Sequence, residues 1–238
     1  MAAAAQYKPK MPMASKFQKF PTHKASAALA VQKELPIQKY IPDILSSFGL
    51  HRVVELFAPT GTGKSTGISE AYVRDEWRGK LGKRCFMSIP TVVGVNTLYA
   101  HVSKLLGDKA SKFGCGAGGS YTANFDDADL CVCTTQVVIN HLLRLYNAKN
   151  KMDDVIVVID EAHHTSAENY VLIYLCDWLI EHGFGLNVLI MTATPSVYDL
   201  HFLVATRTFS ISREEVVHHD ITEHWLPSDI FTMRDIIK

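Results

Sequence analysis

Residues 58–66 of this 238-residue chain read Ala-Pro-Thr-Gly-Thr-Gly-Lys-Ser-Thr, after a strand-like run at 52–58 and before a helix-forming stretch at 64–77. Few segments restrict a fold more. Gly61 and Gly63 let the backbone curl so that successive N–H groups face inward, and a helix start adds positive potential at the same point. Such a turn is suited to holding phosphate. Lys64 adds an ammonium group able to reach β- and γ-phosphates, and the Ser65 hydroxyl can ligate magnesium. The strict phosphate-loop pattern is G-x-x-x-x-G-K-[ST]. Ala58 stands at its first position, so the match fails by one residue. The plain alternative is a Gly/Thr-rich turn that happens to precede Lys-Ser; the strand–turn–helix setting argues against it. Pro59, Thr60, Gly61, Thr62, Gly63, Lys64, Ser65 and Thr66 are therefore the candidate nucleotide-binding residues.

Strand-like and helix-like segments alternate through most of the chain. Strands are expected at 52–58, 84–90, 129–134, 155–159 and 187–193, and helices at 64–77, 95–106, 136–146 and 167–182. The run Val-Ile-Val-Val-Ile at 155–159 has no polar alternation, which suits a strand covered on both faces. This pattern predicts an α/β fold with a mainly parallel sheet between helical layers. The glycine-rich segment 114–120 reads as a flexible loop, since no helix with Lys-Ser follows it. Strands are also expected at 208–212 and 216–225, crossing toward a second domain, and a helix at 229–238.

Asp160 and Glu161 directly follow the buried run. They thus stand at the carboxyl edge of the sheet, where open α/β sheets bind ligands, and the phosphate loop follows the carboxyl end of its own strand. Two carboxylates there can divide the work. Asp160 would hold the magnesium shell, and Glu161 would orient and deprotonate an attacking water. A solvated acidic pair capping the next helix is the bland reading of the doublet alone. Thr192 and Thr194 end the following strand, where their hydroxyls could sense His163.

Composition narrows the partners. With 24 basic and 24 acidic residues the formal net charge is zero, so any nucleic-acid binding has to come from a local groove. The five cysteines lack zinc-ribbon spacing and read as buried, reduced thiols in a reducing compartment; Cys131 and Cys133 should share one face of a strand. The apolar stretch 171–191 is broken by Asp177, Glu181, His182 and two glycines, so no membrane span is expected. Residues 1–33 carry Lys8, Lys10, Lys16, Lys19, Lys24 and Lys33 with no acid. They read as a disordered basic tail, with a nucleic-acid-touching arm or a transit peptide as alternatives. The trailing histidines His164, His218 and His219 read as surface or linker residues, and Trp77, Trp178 and Trp225 as packing residues.

Together the three motifs resemble those of superfamily 2 helicases over residues 35 to about 210. Ala58–Ser65 matches motif I, which in that family often begins with alanine; Asp160–His163 spells the DEAH form of motif II; Thr192–Thr194 matches motif III. The segment from Ile89 and the pairing of DEAH with Thr-Ala-Thr-Pro are similar to the viral flavivirus-type and poxvirus-type group. The resemblance implies a three-layer RecA-like domain, ATP and Mg²⁺ as cofactors, and Lys64, Asp160, Glu161 and His163 as the catalytic set. It further implies that Pro90, Thr91, Thr134 and Thr135 hold a single strand of nucleic acid, RNA favoured over DNA. Gln38 would read adenine. Val92 stands where many members carry an arginine. The family also needs a second RecA-like domain with a glutamine–arginine motif, which nothing after Pro195 resembles. The expected organisation is a tail at 1–33, a RecA-like domain at 34–212, and a linker with the start of a second domain at 213–238. A cytoplasmic location is expected, in the host cell for a viral protein. Two other readings stay open: a non-enzymatic nucleotide- or nucleic-acid-binding module, and a translocase that does not unwind.

Overall fold

In a computed structural model the described residues are 35–194 and 207–212. The tail at 1–33, the segments expected at 216–225 and 229–238, and His218, His219 and Trp225 lie outside them. A short 3₁₀ turn, Pro36–Lys39, leads into α1 (Ile41–Ser47) and then β1 (Val53–Phe57). After the phosphate loop come α2 (Lys64–Arg74), α3 (Trp77–Leu81), β2 (Arg84–Ile89) and α4 (Val92–Leu106). The chain continues through β3 (Phe113–Ala117), β4 (Ser120–Tyr121), β5 (Leu130–Thr134) and α5 (Thr135–Asn147). The last described elements are β6 (Val155–Ile159), α6 (Ala167–Glu181), β7 (Asn187–Thr192) and β8 (Arg207–Ser210).

The strands form one sheet in the order β4-β3-β5-β2-β6-β7-β1-β8. Among the described residues only the β3–β4 pair is antiparallel. Alternate residues of the central strands go to opposite faces, as the two-residue period demands. Ile156 and Val158 join the core under α1, α2 and α4, while Val155, Val157 and Ile159 join the core under α5 and α6. This is the α/β arrangement expected from the alternation of elements, and it has the three-layer RecA-like form that the resemblance implied. Cys131 and Cys133 share the second core, and all five cysteines are buried and free. Among the described residues no helix is long and apolar enough to cross a membrane.

Three expectations are corrected. Segment 114–120 is not a flexible loop: β3 is buried along its whole length and pairs with β5, and the loop is confined to the turn at Gly118 and Gly119. The glycines there make room for aromatic neighbours. A Cβ on Gly116 would lie 2.9 Å from a Phe125 ring carbon, and one on Gly114 would lie 2.8 Å from the Cys131 sulfur. The segment near 208–212 does not cross away from the domain either. It pairs in parallel with β1, because Phe209 and Ile211 alternate onto the first core and cover that flank. The helix expected over 64–77 is two helices, broken where Glu76 takes a left-handed conformation with φ 57°.

A bulky side chain at Gly114 tests the buried strand. Gly114→Val should lower stability by about 1–3 kcal/mol through overpacking against Cys131 and Ala128, read as a lower urea midpoint. An unchanged midpoint would mean that the segment is a loop after all.

Candidate nucleotide site and strand-binding face

The phosphate loop is tied down on both sides. The Ala58 N–H donates to Thr192 O at 3.0 Å, so the loop leaves the sheet beside the end of β7. Thr62, fully buried, donates its hydroxyl to Pro59 O at 2.9 Å and closes the turn. Gly61 and Gly63 have φ of 88° and 82°, values that side-chain-bearing residues rarely take. Gly63 has a second reason: a Cβ there would lie 2.6 Å from Leu35 Cδ1. The 3₁₀ turn rests on this loop, with the Ile37 N–H donating to Thr62 O at 3.2 Å. Ala58, at the position the strict pattern gives to glycine, is buried in the first core.

Lys64 opens α2 and is only 5% exposed. Among the described residues no acceptor pairs with its ammonium group. A buried ammonium group with no direct ion pair among the described residues, beside the Asp160 carboxyl, suits an anionic ligand. The next residue makes the central contact of the site: Ser65 Oγ donates to Asp160 Oδ2 at 2.5 Å, joining the start of α2 to the end of β6. Asp160 is 2% exposed and also accepts from the Glu161 N–H at 2.9 Å. Burial pushes its carboxyl up to about 6; Ser65 and Lys64 oppose that shift, and the charge of Glu161 adds to it.

Glu161 stands in the left-handed region with φ 51°, a costly backbone state that clusters at functional turns. The turn is held at several points. Ala162 N–H donates to Met191 O at 3.0 Å, and His164 N–H to Glu161 O at 2.8 Å. His163 lies between the acid and β7: its Nε2 is 3.4 Å from Glu161 Oε2, and its Nδ1 is 3.2 Å from Thr192 Oγ1. Thr192 Oγ1 in turn donates to Thr194 O at 2.8 Å. Ser65, Thr66, Asp160, Glu161 and His163 open onto one cleft of about 640 Å³, whose far wall includes Pro90 and Thr91. Pro59 to Lys64 do not line this cleft but lead directly into it, and oxygen ligands from two elements next to a glycine turn and a buried lysine fit a magnesium-bound nucleoside triphosphate.

Of the residues expected to hold a strand, Pro90 and Thr91 immediately precede α4, Thr134 precedes α5, and Thr135 opens α5 but is buried, its hydroxyl accepting from Ser88 Oγ at 3.0 Å. Thr91 caps its helix by accepting from the Gly94 N–H at 3.0 Å. Pro90, Thr134 and Thr135 share a second cavity of about 400 Å³. Gln38 is not in the main cleft. It borders a smaller cavity of about 230 Å³ beside α2 with Gly67, Glu70 and Arg74, and its Oε1 accepts from the Leu35 N–H.

A family model described as DEAD/DEAH box helicase matches residues 36–201. The chain belongs to the DEAD/DEAH box helicase family. ATP-dependent RNA helicase DHX29 of Mus musculus is 24% identical over 226 residues, covering 91% of this chain and 16% of that protein. ATP-dependent RNA helicase TDRD9 of Homo sapiens is 26% identical over 171 residues, covering 68% and 12%. A probable ATP-dependent RNA helicase, the DHX35 homolog of Caenorhabditis elegans, is 29% identical over 173 residues, covering 71% and 23%. The chain thus spans less than a quarter of these relatives' length. The similar proteins are animal helicases, so the expectation of a specifically viral group is corrected. ATP and Mg²⁺ are the cofactors that a DEAD/DEAH box domain implies.

One residue of this DEAD/DEAH box domain escaped the sequence reading. Asn169, in the first turn of α6 and 1% exposed, donates its Nδ2 to Ala162 O at 3.2 Å and His164 O at 3.1 Å. It pins the acid-bearing turn from behind. Only the motif's nearness to a helix start hinted at it. Asn169→Ala strips donors from two carbonyls and should cost about 1–3 kcal/mol, measured by urea denaturation; a shift below a few tenths would remove it from the support of the turn.

Asp160 generates a prediction of its own. Its folded pKa, about 6, lies above the ordinary value of 3.8, so between these pH values the folded state binds more protons than the unfolded one. Stability without metal therefore falls as pH rises through that window. Asp160→Asn removes the buried charge. With metal chelated, the variant should be more stable than the parent above about pH 6, and the gap should close toward about pH 4. A variant that is less stable at neutral pH contradicts this.

Proposed function

We propose that this chain is the first, ATP-gripping half of a motor that couples ATP hydrolysis to movement along a single strand of nucleic acid, with RNA preferred. The observation that carries the reading is the Ser65–Asp160 contact, which places phosphate loop and acid pair at one sheet edge. The preference for RNA rests on the names of the relatives, each an RNA helicase.

Each side chain then has a task. The loop amides and the Lys64 ammonium bind the phosphates. Ser65 and Asp160 hold the magnesium ion, which when bound neutralises the charge developing on the transferred phosphoryl group. Glu161 orients a water and takes its proton at a carboxylate oxygen. His163 bridges that carboxylate to Thr192, so the state of the acid is coupled to the end of β7 and, through the Ala58–Thr192 hydrogen bond, back to the phosphate loop. Open N–H groups at the starts of α4 and α5, with the hydroxyls of Thr91 and Thr134, grip phosphates of the strand, while Thr135, buried with its hydroxyl accepting from Ser88 Oγ, ties the start of α5 to β2. A second RecA-like domain completes the motor. Its arginines would account for a rate factor of roughly 10³–10⁵, so this chain alone binds ATP–Mg and turns it over slowly. The free buried thiols are in keeping with a reducing, cytoplasmic setting.

Lys64→Ala should abolish ATP–Mg binding by this chain, measured by calorimetry. Glu161→Gln in the complete two-domain protein should keep ATP binding and lower kcat by about 10²–10⁴. Turnover retained in the glutamine variant would exclude Glu161 as the base.

A further inference from the structure

The second cavity has a chemistry different from that of a phosphate site. Its lining, among the described residues, contains no lysine or arginine and does contain the carboxylate-bearing Glu168. An anionic phosphate has no counter-charge inside it. What the cavity offers instead is neutral and two-sided. Gln136 and Asn140 stand one helical turn apart on the exposed face of α5, and Gln136 Nε2 donates to Asn140 Oδ1 at 2.9 Å. That bond fixes the pair and leaves Gln136 Oε1 as acceptor and Asn140 Nδ2 as donor. A paired donor and acceptor is what the edge of a nucleobase requires.

The opposite rim supplies a face. Tyr121, on β4, is 54% exposed, yet its ring is set edge-on against Phe125 with centroids 4.8 Å apart. Its orientation is thus fixed while much of the ring stays in solvent. The Gly118–Gly119 turn lines the same cavity as the ring and the two amides. A Cβ at either glycine would meet nothing within 4 Å, so a chain passing there finds open space. Pro90 and Thr134, at the helix starts proposed above to grip phosphates, border the same cavity.

We infer that this cavity takes a nucleoside of the bound strand: a base laid on Tyr121 with its edge on Gln136 and Asn140, and Glu168 accepting from the ribose 2′-hydroxyl. The inference rests on the strand-binding reading and deepens it. The grip of this domain then depends on bases as well as on backbone, through stacking and edge contacts.

The test compares binding of the 238-residue chain to a fluorescent oligouridylate and to an abasic ribose-phosphate oligomer of equal length, by anisotropy. The parent chain should bind the abasic oligomer roughly fivefold or more weakly. Tyr121→Ala should weaken oligouridylate binding to that lower level and lose the difference between the two oligomers. Tyr121→Phe should keep the difference, which separates stacking from a folding defect. Gln136→Ala, on an exposed helix face, should weaken oligouridylate alone. If the parent and both alanine variants bind the two oligomers alike, the nucleoside site is overturned while strand binding stands. If the parent binds neither oligomer, strand binding fails along with it.

Discussion

The site depends on one short hydrogen bond between elements far apart in sequence. Ser65 opens the helix after the phosphate loop; Asp160 closes a buried strand 95 residues later. Their contact requires β1 and β6 to end at the same edge, with only β7 between them, and a parallel sheet in the order observed does that. Placing Asp160 there is costly, because its carboxylate is buried and resists ionisation. Such a residue is poorly placed for stability and well placed to meet a divalent cation.

Around that bond the chain is arranged so that one event is felt at several places. Glu161 takes a strained backbone conformation, supported from below by Asn169 and from the side by β7. His163 touches both the acid and Thr192. The phosphate loop begins with a hydrogen bond to the same Thr192. The residues proposed to contact nucleotide and strand thus sit on turns at one sheet edge, the arrangement a coupling device needs.

Much of this was readable in sequence where the physics is local. The run at 155–159 announced a strand covered on both faces, and the glycines at 61 and 63 announced a turn with positive φ. The reading failed where burial comes from neighbours. Gly114 and Gly116 carry no apolar side chain, yet Phe125, Tyr121 and Cys131 fill the volume and make a strand of what looked like a loop. Phe209 and Ile211 signalled a strand but not which sheet it joins. Asn169 looked like a helix residue; its role comes from two main-chain carbonyls that only the folded turn brings within reach. The viral flavour of the motif wording did not survive comparison with the animal relatives.

The most direct measurement is calorimetric titration of the 238-residue chain with ATP, in Mg²⁺ and again with the ion chelated. If Ser65 and Asp160 hold the metal against a phosphate seated on Lys64, binding appears with the ion and weakens markedly without it. Absence of binding heat in Mg²⁺, or identical affinity in both conditions, would contradict the account.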